Sequence, residues 1–178
     1  VVEQLIQAGI PRELIVIIIS ALPVLELRGA LPVAINILHI PWYWSFLLVI
    51  IGNLLPVPFI LLFLESVAKG ISRLDSGKRL VDWLFRRTRK RGRIIERYER
   101  IGLTLFVAIP LPFTGAWTGS IAAFLFGLKF YRSLLLIFFG IIIAAVIVTI
   151  LCLLGWLGAV IAGVGLASLV VIGLWKSW

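Results

Sequence analysis

Glu26 and Arg28 stand where a membrane-spanning sequence normally has no charge, within ELRGALP (26–32) in the apolar stretch 14–38. Inserting either group at a helix centre costs about 2.5–3.5 kcal/mol, so such residues persist where they pair, face a cavity or serve transport. A second polar interruption, PLPFTGAWTGS at 110–120, divides the apolar stretch 101–128 and supplies Pro110, Pro112, Thr114, Gly115, Trp117, Thr118 and Gly119. Proline removes a helix donor and glycine permits a turn, so both interruptions read as helix breaks near the membrane midplane.

The chemistry these breaks offer is recognition of an anion. Returning arms that begin near Gly29 and Gly115 would bring two helix N-termini, each with free N–H groups, to one depth. Arg28 adds a positive charge, and Thr114, Thr118 and Ser120 add hydroxyls. Glu26 is then the titratable partner: protonated, it frees Arg28 for substrate; ionised, it competes for it. The plainer reading is an ion pair that pins the hairpin tip, although side chains at i and i+2 do not share a face of a regular helix. Asn53, ahead of Pro56 and Pro58, either bridges helices or lines the cavity. The two prolines predict a kink. Trp117 reads as packing and His39 as an interfacial residue.

The elements that position these residues follow from composition. The chain has 178 residues, 62% of them hydrophobic, and a mean hydropathy of +1.15. That is an all-α integral membrane protein. Five apolar stretches occur, at 14–38, 42–68, 101–128, 133–155 and 157–175. The second, fourth and fifth fit one crossing of about 20 residues each. The net charge of +9 is concentrated: eleven of 17 basic residues lie between Arg73 and Arg100, six of them within RRTRKRGR at 86–93. In a membrane protein this is a cytoplasmic loop rather than a nucleic-acid-binding arm. Its interleaved Leu80, Trp83, Leu84, Ile94, Ile95 and Tyr98 predict a surface-lying amphipathic helix.

Basic residues flank 101–128 on both sides, so that segment is expected to enter and leave by the cytoplasmic face as a re-entrant hairpin. The stretch 14–38 is its counterpart from the outer face, broken between Pro23 and Pro32, with a single tilted crossing as the alternative. Fifteen of the 17 basic residues then face the cytoplasm, leaving Arg12 outside and Arg28 in the membrane. Ala21-Leu22-Pro23 matches Ala108-Ile109-Pro110 at an offset of 87, while Ser45 and Gly52 match Ser133 and Gly140 at 88. The expected fold is one membrane domain, 1–178, with an inverted-topology repeat. The first repeat, 1–72, holds the hairpin 14–38 and the transmembrane helix 42–68. A basic linker, 73–100, joins it to the second, 101–155, which holds the hairpin 101–128 and the helix 133–155. A C-terminal transmembrane helix, 157–175, follows, and its stripe of Ala159, Gly163 and Ala167 predicts close packing within the chain or across a homodimer. The single Cys152 and lone His39 leave no metal-binding cluster. No cleavable signal peptide is recognisable, and a chain starting at Val1 without Met suggests a natural start upstream.

The segments LPVLELRGALPVAI (22–35), IGNLLPVPFILLFL (51–64) and LFVAIPLPFTGAWTGSIAAFLFG (105–127) resemble the small multidrug export protein family. Phe113 stands where that family commonly has Gly. The layout is also similar to the wider DedA superfamily, without its two-Arg motifs. The first resemblance implies export. The second implies two opposed re-entrant hairpins and lipid handling, such as return of polyprenyl phosphate carriers, in a bacterial or archaeal cytoplasmic membrane. Together with the anion site they give the expected function: proton-coupled secondary transport of an anionic amphiphile or lipid, with no cofactor, no catalytic residues and no nucleic-acid partner. The alternatives are an exporter of small cationic or drug-like compounds, a membrane enzyme acting on lipid phosphates, and a non-transporting scaffold.

Overall fold

Regular helix is expected wherever apolar residues run without Gly or Pro, and helix ends where those residues cluster. The computed structural model describes residues 2–7, 9–71, 93–110 and 114–175, and all its regular structure is helical. The elements are α1 (Val2–Gln7), α2 (Arg12–Ala21), α3 (Glu26–Pro32, continued by a wider turn over Val33–Ile37), α4 (Trp42–Leu54) and α5 (Pro56–Ile71). After them come α6 (Arg93–Ala108), α7 (Ala116–Leu125), α8 (Phe130–Leu153) and α9 (Trp156–Trp175).

Among the described residues, two helical runs are long and apolar enough to cross a membrane, Trp42–Ala68 and Phe130–Leu153. Only 33% and 39% of their most apolar windows are buried, and large side chains such as Phe59, Phe63, Tyr131 and Phe139 face outward. Apolar surface on that scale requires a lipid-like environment. The first run is interrupted at Leu55, as Pro56 and Pro58 predict, because neither proline can donate to the preceding turn.

Helix α8 is the hub, packing against α3, α4, α5, α6, α7 and α9. Its inner face presents Ile137, Gly140, Ile141, Ala144, Ala145 and Val148, and the small residues let neighbours approach closely. The densest contacts pair α2 with α4 and α6 with α8. Each pairing closes on one glycine. A Cβ at Gly52 would overlap Ser20 and the backbone of Ile17; one at Gly140 would meet Val107 and the backbone of Thr104. The helix positions differ by 88 and the partner positions by 87.

The turns into α4 and α8 also correspond at an offset of 88. Leu38 (φ −86°, ψ −9°) and Phe126 (φ −74°, ψ −6°) end the arms. His39 (φ 54°) and Gly127 (φ 67°) then take left-handed backbone. Extended Pro41 and Lys129 open the next helices, whose first rings stack edge-on as Trp42–Tyr43 and Phe130–Tyr131. Glycine adopts that left-handed turn freely, whereas His39 does so at a cost of roughly 1–2 kcal/mol. The slip from 87 to 88 combines a longer second break with a shorter second arm (Ala116–Leu125), which lacks the wide turn after Pro32.

Several expectations are corrected. The first break spans only residues 22–25 and does not reach Pro32, which closes α3 because its fixed φ of −58° suits helical backbone. The start and end of this segment lie side by side: Arg12 Nη1 donates to the Leu38 carbonyl at 3.4 Å, so 12–38 folds back on itself rather than running straight. Helix α6 runs unbroken from Arg93 to Ala108, across residue 100. The rest of the basic linker, residues 73–92, lies outside the described residues. In α9 the close approach to α8 is made by Gly158, whose Cβ would strike the Leu151 carbonyl, while a Cβ at Gly163 would meet open space.

Candidate functional site at the two helix breaks

Breaking a helix strands carbonyls at the end of one segment and N–H groups at the start of the next. Here α2 ends at Ala21 and α3 starts at Glu26; α6 ends at Ala108 and α7 starts at Ala116. Side chains of each half satisfy the stranded groups of the other. Arg28 Nη2 donates to the Ile109 carbonyl at 3.1 Å and to Thr114 Oγ1 at 2.9 Å. Thr114 Oγ1 in turn donates to the same carbonyl at 2.8 Å. Glu26 Oε1 accepts from the Trp117 backbone N–H at 3.4 Å, and Trp117 Nε1 returns a hydrogen bond to the Ala21 carbonyl at 3.0 Å.

The electrostatics are complementary. The carboxylate occupies the positive start of α7 and the guanidinium the negative end of α6, the favourable placement for each sign. The two charges also lie 3.8 Å apart, which the left-handed backbone of Glu26 (φ 46°) permits where a regular helix would separate them. Glu26 is buried, with 5% of its surface exposed. Its Oε2 and the Nε of Arg28 have no hydrogen-bond partner among the described residues. Gly115 makes room for this arrangement, since a Cβ there would overlap the Glu26 carboxylate.

Beside the breaks lies a cavity of about 720 Å³. Arg28, Pro32, Asn36, Ile109 and Pro110 form one wall; residues of α8 and α9 from Ile147 to Gly165, including Cys152, form the other. That second wall is apolar, and Arg28 is the charged group in the lining.

The sequence-derived site is thereby sorted. Glu26, Arg28, Thr114, Gly115 and Trp117 meet directly. Pro32 and Pro110 line the adjacent cavity. Gly29 does not begin the returning arm; it lies inside α3 against Leu25. The start of α7, expected to be open, is occupied by the chain's own Glu26. Trp117 is a hydrogen-bonding cross-link as well as a packing group. Thr118 Oγ1 turns back to the Gly115 carbonyl at 3.5 Å and buried Ser120 to Ala116 at 2.6 Å. Gly119 packs against Val107. Asn53 is fully buried, outside the cavity lining, and its amide has no partner among the described residues. Pro112 lies outside the described residues. Asn36 and the α8–α9 wall were missed; one polar residue four places after Pro32 in an apolar run offered only a faint signal.

The sequence matches the family model "Putative small multi-drug export protein" over residues 26–147, about two thirds of the chain. The chain belongs to this family. No curated protein and no solved structure matches it. In this small multi-drug export family member the matched span starts at Glu26, directly after the first break, and contains the second, whereas most of the α8–α9 wall follows its end.

Proposed function

We propose that this membrane protein carries an anionic amphiphile or lipid, of the polyprenyl phosphate kind, across the bilayer by proton-coupled secondary transport, without altering it chemically. One observation carries the reading: Arg28 is set in the wall of a roomy cavity whose facing wall is apolar. A phosphate or carboxylate head would pair with Arg28, and apolar chains would lie along α8 and α9. Export of small cationic drugs, the second reading, rests on the family's name. It is disfavoured because Glu26 faces the start of α7 and, among the described residues, no acid lines the cavity.

Two repeats of opposite orientation underlie this proposal, each with a re-entrant hairpin: residues 12–38 from the outer face and the α6–α7 unit from the cytoplasmic face. Support comes from the shared turn backbone at an offset of 88, the matched approaches at Gly52 and Gly140, and the charge bias of the sequence. Glu26 is the coupling group. Proton binding removes its charge from the start of α7, loosens the link between the breaks, and leaves Arg28 to the substrate.

Proteoliposomes with an imposed pH gradient test the scheme. Glu26→Gln should abolish gradient-driven uptake of a polyprenyl phosphate while leaving the fold intact, and Arg28→Ala should weaken its binding on the order of tenfold or more, the loss of a charge-assisted contact. Gradient-driven uptake at the unmodified rate in Glu26→Gln would refute coupling. Unchanged affinity in Arg28→Ala would refute the anion site, and chemical turnover of the lipid would favour an enzyme.

A further inference from the structure

The mouth of the first hairpin lies one α2 length from the breaks, about 15 Å at 1.5 Å per residue. It holds a separate cavity of about 400 Å³, lined by Arg12, Glu13, His39, Pro41, Trp44 and Leu48 among others. Arg12 and Glu13 are exposed neighbours on the first turn of α2 and form no salt bridge among the described residues. Arg12 gives a single long hydrogen bond to the Leu38 carbonyl, using one of its five donors.

His39 supplies an independent signal. It takes left-handed backbone (φ 54°) at the turn position where the second half has Gly127. Its side chain is exposed, so packing does not compensate for the strain. Backbone that is costly for a residue other than glycine, kept at an exposed position in the wall of a cavity, points to a functional constraint on that residue.

We infer that this cavity binds the headgroup of a zwitterionic phospholipid of the phosphoethanolamine class. The phosphate is held by Arg12 and His39, and the ammonium by Glu13 and the face of Trp44. Charge balance selects a zwitterionic headgroup, and the Glu13 carboxylate, an acceptor, selects a primary ammonium with N–H donors. One fixed cation beside one fixed anion leaves Glu13 unmatched by a purely anionic headgroup and Arg12 unmatched by a purely cationic one. The depth agrees, because exposed Trp42, Tyr43 and Trp44 mark the interfacial level. Beyond them Leu14 and Ile18 of α2 and Leu47 and Ile51 of α4 are exposed on two helices packed together, a track for acyl chains. The inference is independent of the role given to Arg28.

Native mass spectrometry of the purified full chain tests it, with detergent micelles doped with equal phosphatidylethanolamine and phosphatidylglycerol of identical acyl chains. Phosphatidylethanolamine should be retained in preference by on the order of tenfold, the value of one charge-assisted contact. Glu13→Gln should erase the preference. His39→Gly should reduce retention severalfold while leaving the melting temperature unchanged or raised, because glycine is unstrained at that turn. That combination separates a ligand role from a structural one. Equal retention of the two lipids, or retention unaffected by either substitution, would overturn the site. Saturation by millimolar free phosphoethanolamine without retention of the intact lipid would overturn its assignment to a membrane lipid.

Discussion

Gly115→Ala isolates the contact between the two breaks. Gly115 has φ 164° and ψ −162°, extended backbone that alanine adopts without strain, so the effect is steric. The new methyl group would overlap the Glu26 carboxylate and push it from the start of α7. Losing a charge-assisted hydrogen bond at a buried site costs about 1.5–3 kcal/mol. Reduced freedom of the unfolded chain returns about 0.4–1 kcal/mol. The net expectation is a destabilisation of about 1–2 kcal/mol, read as a fall in the thermal midpoint of a few degrees. Glu26→Asp withdraws the carboxylate by one carbon–carbon bond, about 1.5 Å, and makes room for the methyl group. Gly115→Ala should therefore cost markedly less in the Glu26→Asp background than alone, with a coupling of about 1 kcal/mol in a double-mutant cycle. Thermal unfolding of the four purified forms in detergent measures it. Additivity within about 0.3–0.5 kcal/mol would mean that the two residues do not touch, and the account of the breaks would fail.

Other expectations are direct. Gly52→Ala and Gly140→Ala should each destabilise by about 1–3 kcal/mol through overpacking against α2 and α6, whereas Gly163→Ala, facing open space, should stay within about 0.5 kcal/mol in thermal unfolding. The single Cys152 lies in the cavity wall, so its alkylation by a small maleimide should slow when a long-chain alkyl phosphate is present. An unaltered rate at saturating amphiphile would place the ligand elsewhere. For the opposed-repeat topology, cysteines introduced singly at His39 and Lys129 in a Cys152→Ser background should react with impermeant reagents from opposite sides of the membrane. Labelling of both from one side would defeat the inverted arrangement.

Much of the architecture was legible because it depends on local chemistry. Pro23, Pro110 and Gly115 stop helices wherever they occur, and both breaks appear within a few residues of their expected places. Pro32 misled because its fixed φ of −58° also suits helical backbone, and a wide helical turn then continues the arm with no composition signal. Charge changes near residue 100, whereas backbone hydrogen bonding carries α6 through that change of composition without interruption.

The site divides along the same line. Sequence alone determined that Glu26 and Arg28 lie in an apolar segment, that a second break rich in Gly, Pro and Thr exists, and that the two halves echo one another at offsets of 87 and 88. These are matters of residue type and spacing. Only the tertiary structure decided that Glu26 occupies the start of α7, that Arg28 holds the end of α6, and that Trp117 reaches back to Ala21. Each of those bonds joins residues more than eighty positions apart. Their geometry depends on how the helices pack around α8, and no pattern along the chain encodes which stranded backbone group a distant side chain will meet.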